Sequence, residues 1–266
     1  MILIKIGGGK GILDNLDNIL KDFASIDEKK IIVHGANYEM SCVCKKMNIP
    51  EKIITSPSGF SSRHTDRETL DIFKMVYAGA ANKRIVERLQ KLGINAIGLS
   101  GVDGGLLRGA RKPYVKSVEG DKIKLIRDDF TGNVEKVNVT LLNLLLENNY
   151  LPVICPPAIS HDNFAINVDN DRIVGAICKE MPVDILISLI EAPGMLEDAS
   201  DEKTLIKKIK LEEIENFSDF AKGRMKKKIH HAKEAFGNTL KKYIIADGRI
   251  ERPITMALAG SGTAIE

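Results

Sequence analysis

Apolar residues along the chain follow two alternating rhythms. Short solid runs at 2–6 (ILIKI), 30–34 (KIIVH), 94–100 (INAIGLS), 151–155 (LPVIC), 183–190 (VDILISLI) and 242–246 (KYIIA) have the length and branched-aliphatic content of strands buried on both faces. Between them the spacing turns helical. Over 12–24, Ile12, Leu13, Leu16, Ile19, Leu20 and Phe23 fall along one side. Further helices are expected over 38–47, over 67–92 with a break or bend near AGAANK, and over 139–149, 170–181, 203–208 and 224–238. Strand-then-helix alternation predicts βαβ units on a mainly parallel sheet. From 105 to 138 the texture changes to short charged strands around EGDK, the pattern of a β-hairpin leaving the sheet. No internal repeat or low-complexity segment interrupts the pattern, and only a soft boundary falls near residue 180.

Composition narrows the class. A chain of 266 residues with 44% hydrophobic content can build one large α/β domain or two smaller ones. A net charge of +3 and 5% aromatics without Trp argue against a nucleic-acid binder, which interleaves aromatics with basic residues. No apolar run approaches the roughly eighteen residues of a membrane span, and the start lacks the shape of a signal peptide. Cys42, Cys44, Cys155 and Cys178 are too few and scattered for a disulfide framework. Cys42 and Cys44 sit two apart on a helix and face different ways, so no metal site is expected from them. Four reduced thiols fit a cytoplasmic protein.

The strand ends hold the candidate chemistry. Gly7, Gly8 and Gly9 follow the first strand, His34–Gly35 the second, Ser100–Gly101 the third, and Gly194 comes shortly after the run at 183–190. Ligands of open α/β sheets bind outside the carboxyl ends of the strands, and bare glycine backbone lets N–H groups approach an anion. The triple glycine fits neither the P-loop nor the dinucleotide fingerprint, since no GK[ST] follows and the GxGxxG spacing is missing. Several glycine turns on one edge imply an extended anionic ligand and leave the reaction open.

Six motifs in order carry a resemblance over nearly the whole chain: KIGGGK, VHGAN, RHTDRETLDIFKMVYAGAANKRIV, GLSGVDG, NFAINVDND and GRMKKK. Together they resemble the amino acid kinase family, in its acetylglutamate kinase-like branch. TSPSGFSSRHTDRETLDIF and RDDFTGNVEKVN are similar to kinases whose glutamate or 2-aminoadipate substrate is attached by its α-amino group to a small acidic carrier protein. The resemblance implies a three-layer α/β/α sandwich on a mainly parallel sheet, the carbamate kinase-like fold. Residues 1–180 would form the lobe for acyl substrate and dimerisation, and residues 181–266 the lobe for ATP. It implies ATP with Mg2+ as phosphoryl source, a homodimer, a place in lysine and arginine biosynthesis, and no nucleic-acid or membrane partner. Acetylglutamate kinase on free substrate is the alternative, and a catalytically silent protein on the same fold the more distant one.

Site residues follow from the same match. Lys5 and Lys228 correspond to the lysines that stabilise the moving phosphoryl group, and Asp171 to the carboxylate that holds them. Asp171 is also readable as a helix N-terminal acid, Lys228 as part of a solvated basic helix start with Lys226 and Lys227, and Asp169 is a decoy. Gly7, Gly8, Gly9 and Gly35 correspond to phosphate-binding backbone. Gly35 and Ala36 match the turn that receives the reacting carboxylate, Arg63 the clamp on the substrate α-carboxylate, and Asn167 a hydrogen-bonding partner of the substrate backbone. No protein residue is expected to ligate metal. The chain departs from the pattern at VHGAN for HGGG, at GRM for GGM, and at IEAPG for TDVxG, which puts Glu191 in place of an aspartate. The excursion carries Arg108, Arg111, Lys112, Lys116, Lys122, Lys124 and Arg127 against Glu119 and Asp121. It reads either as a solvated hairpin or as a docking surface for an acidic carrier.

Overall fold

The computed structural model describes residues 1–120, 122–218, 233–236 and 239–266. The first half runs β1 (Ile2–Ile6), α1 (Lys10–Asp14), α2 (Leu16–Ala24), β2 (Lys30–His34), α3 (Asn37–Lys46), β3 (Ile53–Thr55), β4 (Ser61–Arg63), α4 (Arg67–Lys74), α5 (Asn82–Lys91) and β5 (Ala96–Ser100). Next come β6 (Leu107–Arg111), β7 (Val115–Glu119), β8 (Lys122–Ile126), β9 (Gly132–Val137), α6 (Val139–Glu147), β10 (Leu151–Cys155), β11 (Ala158–Ser160), β12 (Ala165–Ile166) and α7 (Asn170–Glu180). The remainder is β13 (Ile185–Ile190), β14 (Met195–Leu196), β15 (Leu205–Ile206), β16 (Lys208–Ile209), β17 (Lys242–Asp247), a short helix α8 (Pro253–Leu258) and β18 (Thr263–Ile265).

Eight strands make one sheet in the order β16-β18-β17-β13-β1-β2-β10-β5. All pairs are parallel except β17–β18, so β18 and β16 run against the rest. Period-two alternation divides the apolar residues of each strand between two cores. Ile2, Ile4, Ile6, Ile32, Val153, Ile187 and Leu189 pack with α2, α5 and α8. Leu3, Ile31, Val33, Ile154, Leu186 and Ile245 pack with α6 and α7 on the opposite face. Helices on both faces give the three-layer α/β/α sandwich. β1 lies between β13 and β2 with all five residues buried. The sheet crosses residue 180 without a break, since β13 pairs along the whole of β1.

Two expectations need revision. The helix expected over 12–24 is two helices parted at Asn15, whose side-chain amide donates to Gly248 O at 2.9 Å and Ile250 O at 2.6 Å. The helix expected over 203–208 is a 3-10 turn at Glu202–Thr204 followed by β15 and β16. Leu205, Ile206 and Ile209 fit helical spacing, but β15 pairs with β14 in a two-stranded ribbon and β16 with β18 at the edge of the main sheet, and these pairings supply the backbone bonds instead. The helix expected over 224–238 lies largely outside the described residues. The bend near AGAANK is a π-helical stretch, Met75–Ala81, that joins α4 to α5 without an interruption.

A second sheet, β12-β11-β6-β9, sits above the carboxyl edge of the main one, and the hairpins β3–β4 and β7–β8 lie beside it. These pieces roof the strand ends where the glycines lie.

Candidate active site

Alternation along β1 decides where Lys5 points. Leu3 and Lys5 share the face toward α7, while Ile2, Ile4 and Ile6 take the other. On that face Lys5 meets Asp171, in the first turn of α7, in a buried ion pair. Asp169 caps the same helix, its carboxylate accepting from the Asp171 N–H at 3.1 Å. A negative charge on the first turn is favoured by the helix dipole, so Asp171 serves both as helix-start acid and as lysine partner. Burial works against the Lys5 charge, and Asp171, with Tyr243 and Asp169 behind it, outweighs burial and holds the ammonium above the usual lysine range. Lys5 is therefore a fixed positive charge rather than a proton donor.

The glycine turns after β1 and β2 interlock. Gly35 N–H donates to Ile6 O at 2.9 Å, and Tyr38 N–H to Gly8 O at 2.8 Å. A Cβ on Gly8 would lie 2.6 Å from the nitrogens of both Ala36 and Asn37. A Cβ on Gly35 would lie 2.9 Å from Asn170 Nδ2 and 3.1 Å from Gly8 N. Bare backbone at these two positions thus gathers the N–H groups of Gly8 and of the start of α3 in one place, beside the first turn of α7. At the start of a helix such groups have no intrahelical partner and suit an anion.

Gly9 answers to a different neighbour. The Glu191 carboxylate, just beyond β13, lies where a Gly9 Cβ would stand and accepts from Gly11 N–H at 2.5 Å. No spacing in the sequence brings residues 11 and 191 together. Only the parallel pairing of β1 with β13 does so.

An open cleft of about 2000 Å³ runs over these strand ends, lined by Lys5, Gly7, Gly8, Gly9, Arg63, Asn167, Asp171 and Glu191 among others. Gly35 and Ala36 face a smaller hollow behind the same turn. Arg63, at the end of β4, pairs with Glu51, and its Nη2 donates to Ser41 Oγ at 3.1 Å. Ser41 in turn donates to Glu51 at 3.1 Å. The Arg63 Nε is buried without a partner among the described residues. Glu51 and Ser41 went unnoticed in the sequence because they reach Arg63 only through the β3–β4 hairpin. Arg67, four residues further on, lies 3.8 Å from Asp71 in an ion pair at the exposed start of α4. Asn167 donates from Nδ2 to Thr65 Oγ1 at 2.9 Å, and Asp129 fixes that corner by accepting from Thr65 N–H at 2.9 Å and Thr131 N–H at 2.8 Å.

His34, although it ends a strand beside Gly35, belongs to the framework. It is fully buried, 3.1 Å from the Asn82 amide on α5, and burial lowers its pKa to about 4. The Gly35 carbonyl opposes that shift and the Lys83 charge reinforces it. Lys228, with Lys226 and Lys227, lies outside the described residues. Among the described residues no group of three or more His, Cys, Asp or Glu is placed to hold a metal ion, and no helix is long and apolar enough to cross a membrane.

The sequence profile described as the amino acid kinase family matches residues 1–247. The chain belongs to the amino acid kinase family. It is 46% identical over 270 residues to a [LysW]-aminoadipate kinase of Thermus thermophilus, covering all of both chains. It is 38% identical to an acetylglutamate kinase of Methanopyrus kandleri over 88% of this chain and 90% of the relative. In fold it is similar to a carbamate kinase from Giardia, with a TM-score of 0.68 at 17% identity over 99% of this chain and 97% of the other.

Proposed function

We propose that this chain transfers the γ-phosphoryl group of ATP to the side-chain carboxylate of 2-aminoadipate or glutamate, carried by its α-amino group on a small carrier protein, in lysine or arginine biosynthesis. A carboxylate oxygen attacks the γ-phosphorus, the bond to the β–γ bridging oxygen breaks, ADP departs with that oxygen, and an acyl phosphate remains. The observation that carries the reading is the buried Lys5–Asp171 pair set beside the interlocked glycine turns. Phosphoryl transfer asks for in-line positioning and for positive charge around the moving group. Lys5 supplies the charge, and the backbone of Gly7, Gly8, Gly9 and Gly35 the N–H donors, with Lys228 as the second lysine.

On the acceptor side, Gly35 and Ala36 receive the reacting carboxylate, Arg63 holds the substrate α-carboxylate, and Asn167 contacts the substrate backbone. Arg63 suits that task because Glu51 and Ser41 fix the guanidinium at the cleft wall. The 46% identity to the Thermus aminoadipate kinase supports a carrier-linked substrate, and the Methanopyrus relative keeps free N-acetyl-L-glutamate as the alternative. In this reading residues 1–180 bind the acyl substrate and residues 181–266 the nucleotide. Mg2+ would be carried in by the phosphates of the nucleotide, since among the described residues no carboxylate cluster is placed to ligate it, and would supply charge neutralisation there. Glu191 holds the Gly11 N–H beside the glycine turn, next to the donors assigned to the phosphates. The enzyme works as a cytoplasmic homodimer paired through the N-terminal half, where Met75 is exposed on the α4–α5 helix.

Replacing Lys5 by Arg tests the central pair while preserving the charge that Asp171 needs. The expected result is a loss in kcat of about 100-fold or more, on the scale of a lost oxyanion-hole donor, with an unchanged melting temperature. Near-normal kcat in Lys5→Arg contradicts the assignment.

A further inference from the structure

The hairpin β7–β8 belongs to neither of the larger sheets. A two-stranded ribbon needs one face packed to persist in water. Here the packed face holds Ser117, which is buried, and β7 lies against β3. The opposite face is set by the register that pairs Val118 with Ile123 and Lys116 with Leu125. It presents Val118 at 39% exposure, Ile123 at 58% and Leu125 at 46%, with Tyr114 at 43% in line at its foot. Tyr114 and Lys116 of the same face also line the large cleft. An apolar strip therefore begins at the cleft mouth and runs outward along the hairpin.

The basic residues that suggested a purely electrostatic docking surface are spent differently. Arg111 donates from Nε to Asp129 O at 2.9 Å and from Nη2 to Arg127 O at 2.7 Å, and lies 4.2 Å over the Phe130 ring. Arg108 donates to Ser160 O at 3.3 Å and Asn163 Oδ1 at 3.2 Å. Lys124 lies 3.6 Å from Glu119. Arg111 pins the hairpin's base and Arg108 the turn between β11 and β12, while the exposed Lys116 and Arg127 border the apolar strip.

We propose that the face formed by Tyr114, Val118, Ile123 and Leu125 is where the carrier protein docks, as a small partner offering an apolar patch bordered by carboxylates. The proposal rests on the carrier-linked reading above. A substrate tethered by its α-amino group leaves its carrier at the mouth once its side-chain carboxylate has reached Lys5. The strip starts at that mouth, and exposed contiguous apolar surface of this kind marks an interaction site. A free amino acid has no use for it.

The double variant Ile123→Ser/Leu125→Ser tests this without touching the cleft machinery. The substrates are the LysW carrier of Thermus thermophilus charged with 2-aminoadipate and the carrier-free analogue N-acetyl-2-aminoadipate. The expected result is a fall of at least about tenfold in kcat/KM for the charged carrier, through KM, that persists when salt is raised. The rate on the analogue stays within about twofold, and so does the melting profile. Calorimetric affinity for the carrier falls by the same factor, which covers an analogue too slow to assay. Equal losses on both substrates make the hairpin a structural part and overturn the proposal, as does no loss on either. A change in molecular mass by light scattering assigns the face to a second copy of this chain and also overturns it. If the wild-type protein itself ignores the charged carrier, the carrier-linked reading has failed, a result visible before any variant is made.

Discussion

Gly8 and Gly9 are neighbours under different constraints. An added methyl at Gly8 meets two backbone nitrogens at 2.6 Å, and neither can move without separating the turns after β1 and β2. An added methyl at Gly9 meets first the flexible end of Glu191, and the Gly9 backbone, at φ −84° and ψ 169°, is open to any residue. Gly8→Ala is therefore expected to cost about 100-fold in kcat, the scale of losing a backbone donor to the transferring group. Gly9→Ala is expected to stay within about threefold, with Glu191 displaced. Steady-state kinetics on the two variants, side by side, checks this. Comparable losses would mean that the triple glycine acts as one unit, against the geometry. The motif match gave Gly7, Gly8 and Gly9 one role, and the separate constraint on Gly9 was invisible to it because Glu191 is remote in sequence.

At the scale of elements, two buried polar residues join pieces far apart in the chain. Asp22, near the end of α2, caps α8, accepting from Ile254 N–H at 2.6 Å and Thr255 N–H at 2.9 Å and bonding the Thr255 hydroxyl. Asp22→Ala leaves these buried donors without a partner, at a cost of about 2–3 kcal/mol. For a chain of this size the melting temperature falls by about 5–10 °C, with kcat little changed because α8 is remote from the cleft. Calorimetry beside an activity assay reads both.

His34 ties β2 to α5 through Asn82 and is held neutral, its pKa lowered from the usual 6.5 to about 4. The unfolded chain binds that proton more readily, so stability drops as pH falls from about 6.5 to 4, by on the order of 3 kcal/mol at the lower limit. Denaturant midpoints at pH 7 and pH 5 should show this slope in the wild-type protein and a shallower one in His34→Gln. Equal slopes would place the titration elsewhere.

For the whole molecule, much of the fold was legible because β1, β2, β10 and β13 are covered on both faces and so read as solid apolar runs. The edge pieces were less so. β15 and β16 are two residues each, and pairing with β14 and with the edge strand β18 decided them rather than local pattern. At the site, a lysine within a buried strand next to glycines was visible, but the roles of Lys5 and of its partner Asp171 came only through the family motif, since 166 residues separate the two. Glu51 and Ser41 escaped for the same reason, and Glu191 was noted only as a departure from the motif, its contact with the glycine turn being made by strand ends rather than by spacing. What the assembled molecule proposes is one reaction on one form of substrate. The direct measurement is hydroxylamine trapping of the acyl phosphate with ATP, comparing carrier-linked 2-aminoadipate, carrier-linked glutamate and free N-acetyl-L-glutamate at equal concentration. Hydroxamate is expected on at least one carrier-linked substrate with kcat/KM about tenfold or more above the free acetylated one. Preference for free N-acetyl-L-glutamate, or ADP release without hydroxamate on any of the three, would contradict it.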